Sequence, residues 1–254
     1  MKIHFTASHS ENAQKSFAAL TKKYGQADAK NAEAFVAMGG DGQVLKTLYE
    51  AMPYNKPVFA IRRTDSVGFL CNGFDDKDDL TQRIAQAHPV TLHALRIEAE
   101  KTDGSSASAL AINEVSFLRE TPQAVKLRIV IDGIERIAKF SGDGVLIATP
   151  TGSTAYNHSC GGPIMPIDAN TLVMTAISGY RPRGWSHAVL PEDAVIAIEV
   201  LETAKRPVKI EAGSAVLHNA AKAKIWLDRT QNITLLFDPD QHLGERIIRE
   251  QFML

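Results

Sequence analysis

The hydrophobic pattern of the first third of the chain alternates between strand and helix periods. Three short apolar runs predict strands, at 3–5, 34–38 and 57–61. Phe17, Leu20 and Tyr24 recur at helical spacing. Ser8 and Glu11 have the spacing of a capping box, which predicts a helix start at Ser8. Strands that alternate with helices indicate a parallel sheet covered by helices, so we expect a Rossmann-like α/β domain in residues 1–90.

The period changes near Pro89, and strands with tight turns then dominate. Apolar and polar residues alternate through 125–131, and Asp132-Gly133 supplies a hairpin turn signal. Further strand candidates are 145–148, 195–201, 208–210, 224–227 and 233–237. The fold class that follows is α/β plus all-β. We expect a mainly β domain in 91–238 and a helical tail in 239–254, with its helix at 241–252 packed back on the first domain.

Composition narrows the class of protein without naming a function. The chain has 254 residues, enough for one large or two modest domains, and its formal net charge is -1. A near-neutral chain lacks the basic surface typical of nucleic-acid or anionic-membrane binding. Two distant cysteines, Cys71 and Cys160, form neither a metal-ligand spacing nor a disulfide framework. With no signal-peptide or membrane-span pattern, we expect a soluble cytoplasmic protein that binds neither membrane nor nucleic acid.

A glycine-rich turn follows the second strand, in the segment 38–47, MGGDGQVLKT. Glycines let a ligand approach the backbone, and a helix N-terminus favours phosphate. Gly39, Gly40 and Gly42 are therefore candidate phosphate-binding residues, although an ordinary strand-to-helix turn explains the spacing equally well. The dinucleotide fingerprint fails because Leu45 stands where its third glycine belongs. A P-loop and a nucleophile elbow are absent from the chain.

The second candidate segment is 141–157, SGDGVLIATPTGSTAYN. A strand at 145–148 enters a turn rich in hydroxyl groups, which can donate hydrogen bonds to phosphate or sugar oxygens. The hydroxyl-bearing residues of the turn are Thr149, Thr151, Ser153, Thr154 and Tyr156. A polar surface turn would explain the hydroxyls, but it would not explain the Gly161-Gly162-Pro163 that follows.

The third candidate is the pair Asn113-Glu114, which lies within an apolar stretch read as one strand. Polar neighbours in mid-strand are costly unless they are satisfied. A carboxylate can accept both hydroxyls of a ribose, and an amide can contact the edge of a base. The alternative is a strand with one exposed polar pair.

Together the three motifs resemble those of the NAD kinase family, over residues 34–191. Gly39–Gly42 matches its Gly-Gly-Asp-Gly element, 112–115 its Asn-Glu element, and GDGVLIATPTGSTAYNHSCGGPI its long signature. The resemblance implies transfer of the ATP γ-phosphoryl group to the 2′-hydroxyl of the adenosine ribose of NAD, which gives NADP. Asp41 would be the catalytic acid residue, acting as base toward that hydroxyl.

The resemblance also implies the other site residues. Asn113 would contact the adenine, Glu114 a ribose, and Asp143 the nicotinamide end. The full set implied for NAD binding is Asp41, Gly42, Phe69, Asn113, Glu114, Ser141, Asp143, Thr151, Thr154, Ala155, Tyr156, Asn157, His158 and Ser159. Mg²⁺ or another divalent cation is expected on the ATP phosphates, with no protein ligand identified. A homo-oligomer, dimer or tetramer, with sites shared between subunits is implied as well.

Two segments depart from the family pattern. Residues 61–67, IRRTDSV, lack the asparagine and glycine usual there and carry two arginines. This departure is either a surface substitution or a sign of altered phosphate-donor binding. Residues 211–214, EAGS, lack an aspartate that members often have, which leaves the ligand contacts of that strand open.

Two other functions stay open on the sequence. A lipid or sugar kinase can share the Gly-Gly-Asp-Gly turn, but it should lack Asn113-Glu114 and the 149–156 loop, TPTGSTAY. A non-catalytic dinucleotide-binding sensor would keep the fold and bind NAD without turnover.

Overall fold

The computed structural model describes residues 1–62, 68–74, 79–239 and 252. Two compact units are present, Met1–Leu92 with Thr230–Leu254, and His93–Arg229. The predicted helix at 241–252 lies outside the described residues except for Phe252, as does the 63–67 part of the arginine-containing segment. The predicted fold class, an α/β region followed by a mainly β region, is confirmed. None of the helices described is long and apolar enough to cross a membrane.

The first unit is built on a parallel sheet with helices between its strands. Its elements are β1 Ile3–Ala7, α1 Glu11–Tyr24, β2 Ala34–Met38, α2 Asp41–Ala51, β3 Val58–Arg62, β4 Asn72–Gly73 and α3 Leu80–Gln86. β1 pairs with β2, β2 with β3 and β3 with β4, all in parallel. Every residue of β2 is buried, which explains why its sequence is a continuous apolar run.

The helix ends of this unit follow their local sequence signals, with one correction. The N-cap of α1 is Ser10, whose hydroxyl accepts from the N–H of Ala13, and not Ser8 as the capping-box spacing predicted. α1 ends at Gly25, which has a φ of 79°. α3 starts after Asp79, whose carboxylate accepts from the N–H of Thr81.

The second unit is a sandwich of two antiparallel sheets. The remaining elements are β5 His88–Lys101, β6 Ser106–Ala111, β7 Glu114–Arg119, β8 Val125–Ile131, β9 Ile134–Gly142, β10 Gly144–Ala148, a 3₁₀ helix Thr151–Thr154, α4 Tyr156–Ser159, β11 Thr171–Ile177, β12 His187–Pro191, β13 Ile196–Val200, β14 Val208–Ala212, β15 Ala215–Leu217 and β16 Ala220–Phe237. One sheet has the order β12-β11-β10-β7-β14-β15. The facing sheet contains β5, β6, β8, β9, β13 and the first part of β16. Apolar side chains from both sheets, such as Phe117 and Phe140, fill a single core.

The turn predicted at Asp132-Gly133 is confirmed, since both residues have positive φ, 52° and 76°. The strands predicted at 224–227 and 233–237 are parts of one longer strand, β16. Asp228 interrupts the apolar pattern between these two segments. Its carboxylate is buried and forms an ion pair with Arg96 at 2.5 Å, so the strand continues through this position.

The end of β16 completes the sheet of the first unit. Leu235 and Leu236 pair in parallel with Val58 and Phe59 of β3. The buried side chain of Asn72 donates to the carbonyl of Leu236 at 3.0 Å and accepts from the N–H of Asp238 at 2.9 Å. Asp238 also forms an ion pair with Arg83 of α3. These bonds fix the far end of the chain in the first unit.

Candidate functional site

The glycine turn connects a fully buried strand to a helix. After Met38, Gly39 has a φ of 148°, a region that side chains rarely adopt. A Cβ on Gly39 would lie 2.9 Å from Oγ of Ser8, so the turn also lacks room for one. Gly40 is the N-cap of α2, and Asp41 is its first residue. The turn therefore places a carboxylate at the positive end of a helix dipole.

The carboxylate of Asp41 accepts two backbone hydrogen bonds. The N–H of Phe69 donates to Oδ2 at 2.8 Å, and the N–H of Leu70 donates to Oδ1 at 3.0 Å. The buried thiol of Cys71 donates to the carbonyl of Gly39 at 3.3 Å. Hydrogen bonds to an ionised acceptor are short and directional. They hold Asp41 in one orientation while its partial exposure leaves it open to a ligand.

The pair Asn113-Glu114 lies at a bend and not in mid-strand as the sequence suggested. β6 ends at Ala111, and Glu114 is the first residue of β7. Adjacent side chains in a strand point to opposite faces. At a bend that alternation does not apply, so an amide and a carboxylate that are neighbours in sequence can serve the same ligand.

Two oxygens of this pair have no internal hydrogen-bond partner. Oδ1 of Asn113 and Oε2 of Glu114 are buried and unpaired among the residues that the structure describes. Each such group costs about 1–3 kcal/mol. Burial also raises the pKa of Glu114 from its ordinary value to about 7. Buried, unpaired acceptors on two neighbouring residues are typical of a polar site that a ligand completes.

The loop after β10 is packed directly on this bend. Oγ1 of Thr149 donates to the carbonyl of Ile112 at 2.7 Å, and the N–H of Thr149 donates to the carbonyl of Asn113 at 2.9 Å. A Cβ on Gly152 would lie 2.3 Å from the carbonyl oxygen of Asn113. The loop can approach this closely only because residue 152 is a glycine.

Asn157 holds the loop in shape. Its Nδ2 donates to the carbonyls of Ser153 at 3.0 Å and Pro163 at 2.9 Å, and its Oδ1 accepts from Oγ1 of Thr175 at 2.6 Å. The side chain is completely buried. Of the residues predicted to contact a dinucleotide, Asn157 is thus one whose polar atoms are already used by the protein.

Other predicted loop residues differ in their access to solvent. Thr151 is buried, whereas His158 and Ser159 are exposed. Partly exposed positions are Thr154, Ala155 and Tyr156. The two short helices, 151–154 and 156–159, therefore contain both buried and solvent-exposed positions.

Tyr156 belongs to an acidic neighbourhood that the sequence did not reveal. Burial raises the pKa of Tyr156, and nearby Cys160, Glu211 and Asp143 raise it further. Burial likewise raises the pKa of the Cys160 thiol, and Glu114 adds to that effect. Cys160 and Glu211 thus join the predicted residues in one region. No local sequence signal indicates this, because Glu211 comes from β14.

Ser141 lies near the end of β9, and Asp143 lies between β9 and β10. The backbone N–H of buried Ser141 donates to the carbonyl of Arg181 at 2.9 Å, and its carbonyl accepts from Tyr180 at 3.0 Å. The carboxylate of Asp143 is partly exposed and forms an ion pair with Arg119 at 2.7 Å. Ser141 is therefore bound to the protein through its backbone, while Asp143 stays accessible.

The predicted residues fall into two groups. The first unit contains Gly39, Gly40, Asp41, Gly42 and Phe69. The second unit contains Asn113, Glu114, Ser141, Asp143, Thr151, Thr154, Ala155, Tyr156, Asn157, His158 and Ser159. Within each unit the structure brings the members of the group together.

The second unit also has a cleft that is lined by none of these residues. Its volume is about 670 Å³. Charged side chains that already form ion pairs line it, Lys222 with Glu100 at 2.9 Å and Arg128 with Glu199 at 3.2 Å. Because these four side chains are already paired within the protein, they offer a ligand less than the unpaired oxygens of Asn113 and Glu114 do.

Comparison with known proteins identifies the family. A family model described as the ATP-NAD kinase C-terminal domain matches residues 112–227. The NAD kinase of Xanthomonas oryzae pv. oryzae is 44% identical over 252 residues, which cover 99% of this chain and 97% of the relative. The chain belongs to the NAD kinase family. The NAD kinase of Xylella fastidiosa is 43% identical over 251 residues, 99% of this chain and 96% of the relative.

Solved structures of NAD kinase relatives share the fold. Yeast NADH kinase complexed with NADH matches with a TM-score of 0.81 at 20% identity, over 99% of this chain and 87% of the other. An NAD kinase from Archaeoglobus fulgidus in complex with ATP matches with a TM-score of 0.78 at 20% identity, over the full length of both chains. Membership of the NAD kinase family makes the chain an ATP-dependent kinase.

Proposed function

We propose that this NAD kinase transfers the γ-phosphoryl group of ATP to the 2′-hydroxyl of the adenosine ribose of NAD, with the site residues expected from the sequence. One observation carries the assignment of the dinucleotide site. Buried oxygens of two residues that are neighbours in sequence, Asn113 and Glu114, lack partners among the described residues, and the loop that contains the family signature packs on the backbone of the same bend.

Each of the two side chains fits one part of the dinucleotide. Oδ1 of Asn113 accepts a hydrogen bond from the amino group of adenine. Glu114 accepts hydrogen bonds from ribose hydroxyls, which are better bound by its ionised form. Because the pKa of Glu114 is about 7, these hydroxyls favour release of its proton on binding.

Asp41 is the proposed acceptor for the 2′-hydroxyl proton. Two backbone N–H groups hold its carboxylate in one orientation. A carboxylate is sufficient here, because phosphoryl transfer through a loose transition state needs orientation and charge neutralisation more than early proton removal. The fixed carboxylate orients the hydroxyl for attack and takes its proton as the new bond forms.

The other proposed residues bind or shape the site. Contacts to the dinucleotide are assigned to Gly42, Phe69, Asp143, Thr154, Ala155, Tyr156, His158 and Ser159. Ser141, Thr151 and Asn157 are proposed to bind the dinucleotide from buried positions, and Ser141 and Asn157 also hold the backbone of the site in place. The backbone N–H groups of Gly40 and Gly42 are assigned to the phosphates of the donor. The N–H of Gly39 donates to the carbonyl of Ile61 at 3.3 Å, so the proposed role of Gly39 is to let the phosphates approach the turn.

A divalent cation is proposed to enter with ATP and not as a resident of the protein. Among the described residues no group of three or more His, Cys, Asp or Glu side chains could hold a metal ion. Mg²⁺ commonly binds through substrate phosphates, so the phosphates of ATP are its proposed ligands. When bound, the cation offsets charge on the transferred phosphoryl group.

A coupled assay tests the function. Purified protein is incubated with NAD, ATP and Mg²⁺, and NADP is detected with an NADP-specific dehydrogenase. We expect NADP from the wild type, and a loss of at least about 1,000-fold in kcat for Asp41→Asn, with NAD still bound in calorimetry. Binding of NAD without NADP formation would favour the sensor, and undiminished turnover by Asp41→Asn would remove Asp41 from its role.

We also propose a cytoplasmic homo-oligomer that completes its sites with residues from a neighbouring subunit. Both cysteines are free thiols, as in proteins of a reducing compartment. The two edge strands of the six-stranded sheet, β12 and β15, expose Val189 and Val216, each 49% accessible. Exposed apolar positions on edge strands are typical of surfaces that pair with another chain.

A further inference from the structure

A cavity of about 320 Å³ lies in the first unit beside the glycine turn. Its volume is at the lower end of the range for ligand pockets, about 300–1,000 Å³. The wall comes from the β1–α1 turn, the glycine turn and the segments around β3. Lining residues include Ser8, Ser10, Gly39, Gly40, Arg62 and Phe74. Hydroxyl groups, backbone amides and one guanidinium are groups that bind phosphate.

Arg62 connects this cavity to Asp41. It is the last residue of β3 and is partly exposed. A Cβ placed on Gly68 would lie 3.1 Å from Oδ1 of Asp41 and 3.7 Å from Cδ of Arg62. The carboxylate of Asp41 and the stem of Arg62 therefore both approach the position of Gly68, and the side chain of Arg62 also lines the cavity.

The opposite wall supplies neutral donors. Oγ of Ser8 and Oγ of Ser10 are 3.1 Å apart. The N–H of Ser8 donates to the carbonyl of Met38 at 2.9 Å, which fixes the β1–α1 turn against the end of β2. These hydroxyls and the backbone of Gly40 can contact phosphate oxygens. Of the lining residues that the structure describes, only Arg62 carries a positive charge.

We propose that Arg62 binds the phosphate chain of the phosphoryl donor in this cavity and positions its terminal phosphate beside Asp41. The proposal rests on the proposed function. In the reaction, the bond from the terminal phosphorus to its bridging oxygen breaks, a bond to the ribose 2′-oxygen forms, and the hydroxyl proton goes to Asp41. An arginine fork binds phosphate in two parallel hydrogen bonds and offsets the charge of the transferred group.

The charge balance explains why an arginine belongs here. Donor phosphates and the carboxylate of Asp41 repel one another, and the glycine turn contributes only partial charges. Arg62 lies within the 61–67 segment in which this chain departs from the usual family pattern. We infer that the departure gives this chain its own contact to the donor, whether the phosphate chain belongs to ATP or to inorganic tripolyphosphate.

Steady-state kinetics of Arg62→Gln, Arg62→Lys and the control Arg136→Gln test the proposal. Arg136 is an exposed residue of β9. With NAD saturating and ATP varied, we expect Arg62→Gln to lower kcat/KM for ATP by about 100-fold or more, and Arg62→Lys to recover part of the loss. The dissociation constant for NAD should stay within about twofold, and Arg136→Gln should resemble the wild type.

A second series replaces ATP with inorganic tripolyphosphate. If the wild type uses both donors and both activities depend on Arg62, the cavity binds the phosphate chain alone. If the wild type uses ATP but not tripolyphosphate, the cavity binds the phosphate chain of a nucleotide.

An unchanged kcat/KM for ATP in Arg62→Gln overturns the proposal while leaving the function intact. Equal losses in the Gln and Lys variants, with a lowered melting temperature, would show a structural role and overturn it too. Absence of NADP from the wild type would instead refute the proposed function.

Discussion

At the scale of single residues, the buried carboxyl group of Glu114 lowers the stability of the fold and favours the binding of a ligand. Its carboxyl group is kept in a buried position where one oxygen has no partner among the described residues, and burial raises its pKa to about 7. The folded protein therefore disfavours the charged form that ribose hydroxyls prefer. Functional sites often keep such unfavourable groups, and their removal can stabilise the fold.

Replacement of Glu114 by glutamine should make the ligand-free protein more stable at high pH. An unfolded glutamate titrates near 4.5 and the folded one near 7. The contribution of Glu114 to stability is therefore complete below about pH 4.5 and is lost as the pH rises through 7. We expect Glu114→Gln to raise the free energy of unfolding by about 2–3 kcal/mol at pH 8, and by much less at pH 5, in urea titrations.

NAD binding should change in the opposite direction. Loss of a charged acceptor should weaken NAD binding by about 1.5–3 kcal/mol at pH 8, measured by calorimetry. Wild-type affinity should increase from pH 6 to 8, and that dependence should disappear in Glu114→Gln. The exposed Glu98 gives a matched control, Glu98→Gln. Equal stability changes at both pH values would contradict the role of burial.

At the scale of elements, the close contact between the signature loop and the Asn113 bend depends on Gly152. A methyl group there would overlap the carbonyl oxygen of Asn113. Gly73 of β4 has open space around its Cβ position and gives the matched control.

We expect Gly152→Ala to shift the loop away from the bend. Overpacking of this kind costs about 1–3 kcal/mol, and NAD affinity should fall more than about tenfold because the loop and the acceptors are displaced together. Thermal unfolding and calorimetry measure the two effects. Gly73→Ala should leave both within error. Normal affinity in Gly152→Ala would mean that the loop position does not matter for binding.

Local patterns predict the elements of this chain better than they predict its long-range contacts. The buried strand β2, the helix after the glycine turn and the turn at Asp132-Gly133 follow from periodicity and turn residues. The Asn113-Glu114 bend does not, because an apolar stretch around a polar pair has the same pattern in a strand. A bend becomes evident only when Thr149 is seen to bond to it.

The candidate site shows the same limit. Asp41 and the loop residues are marked by their motifs, but the proximity of Arg62 to Asp41 arises from packing around Gly68. The neighbourhood of Tyr156 and Glu211 likewise joins residues from distant elements. Sequence motifs therefore predict the individual site residues well, but they do not predict which residues from distant elements pack beside them.

At the scale of the whole molecule, we expect association through exposed edge strands. Sedimentation should show a dimer or tetramer at micromolar concentration. Val189→Lys with Val216→Lys should reduce its size, because charges on an edge oppose pairing. The single change Lys30→Gln, at an exposed position of the first unit, serves as control. A monomeric wild type would contradict the oligomer.

The final strand determines when the molecule can be completed. Leu235 and Leu236 pair with β3, and Asn72 and Arg83 bind the residues around them. Residues 1–92 therefore leave the ribosome long before β16, which completes their sheet, has been synthesised. Until residues 235–236 have been synthesised, the part of β3 that pairs with them stays open to other strands. The nascent chain should depend on chaperones during this interval, and a fragment that stops at residue 92 should aggregate.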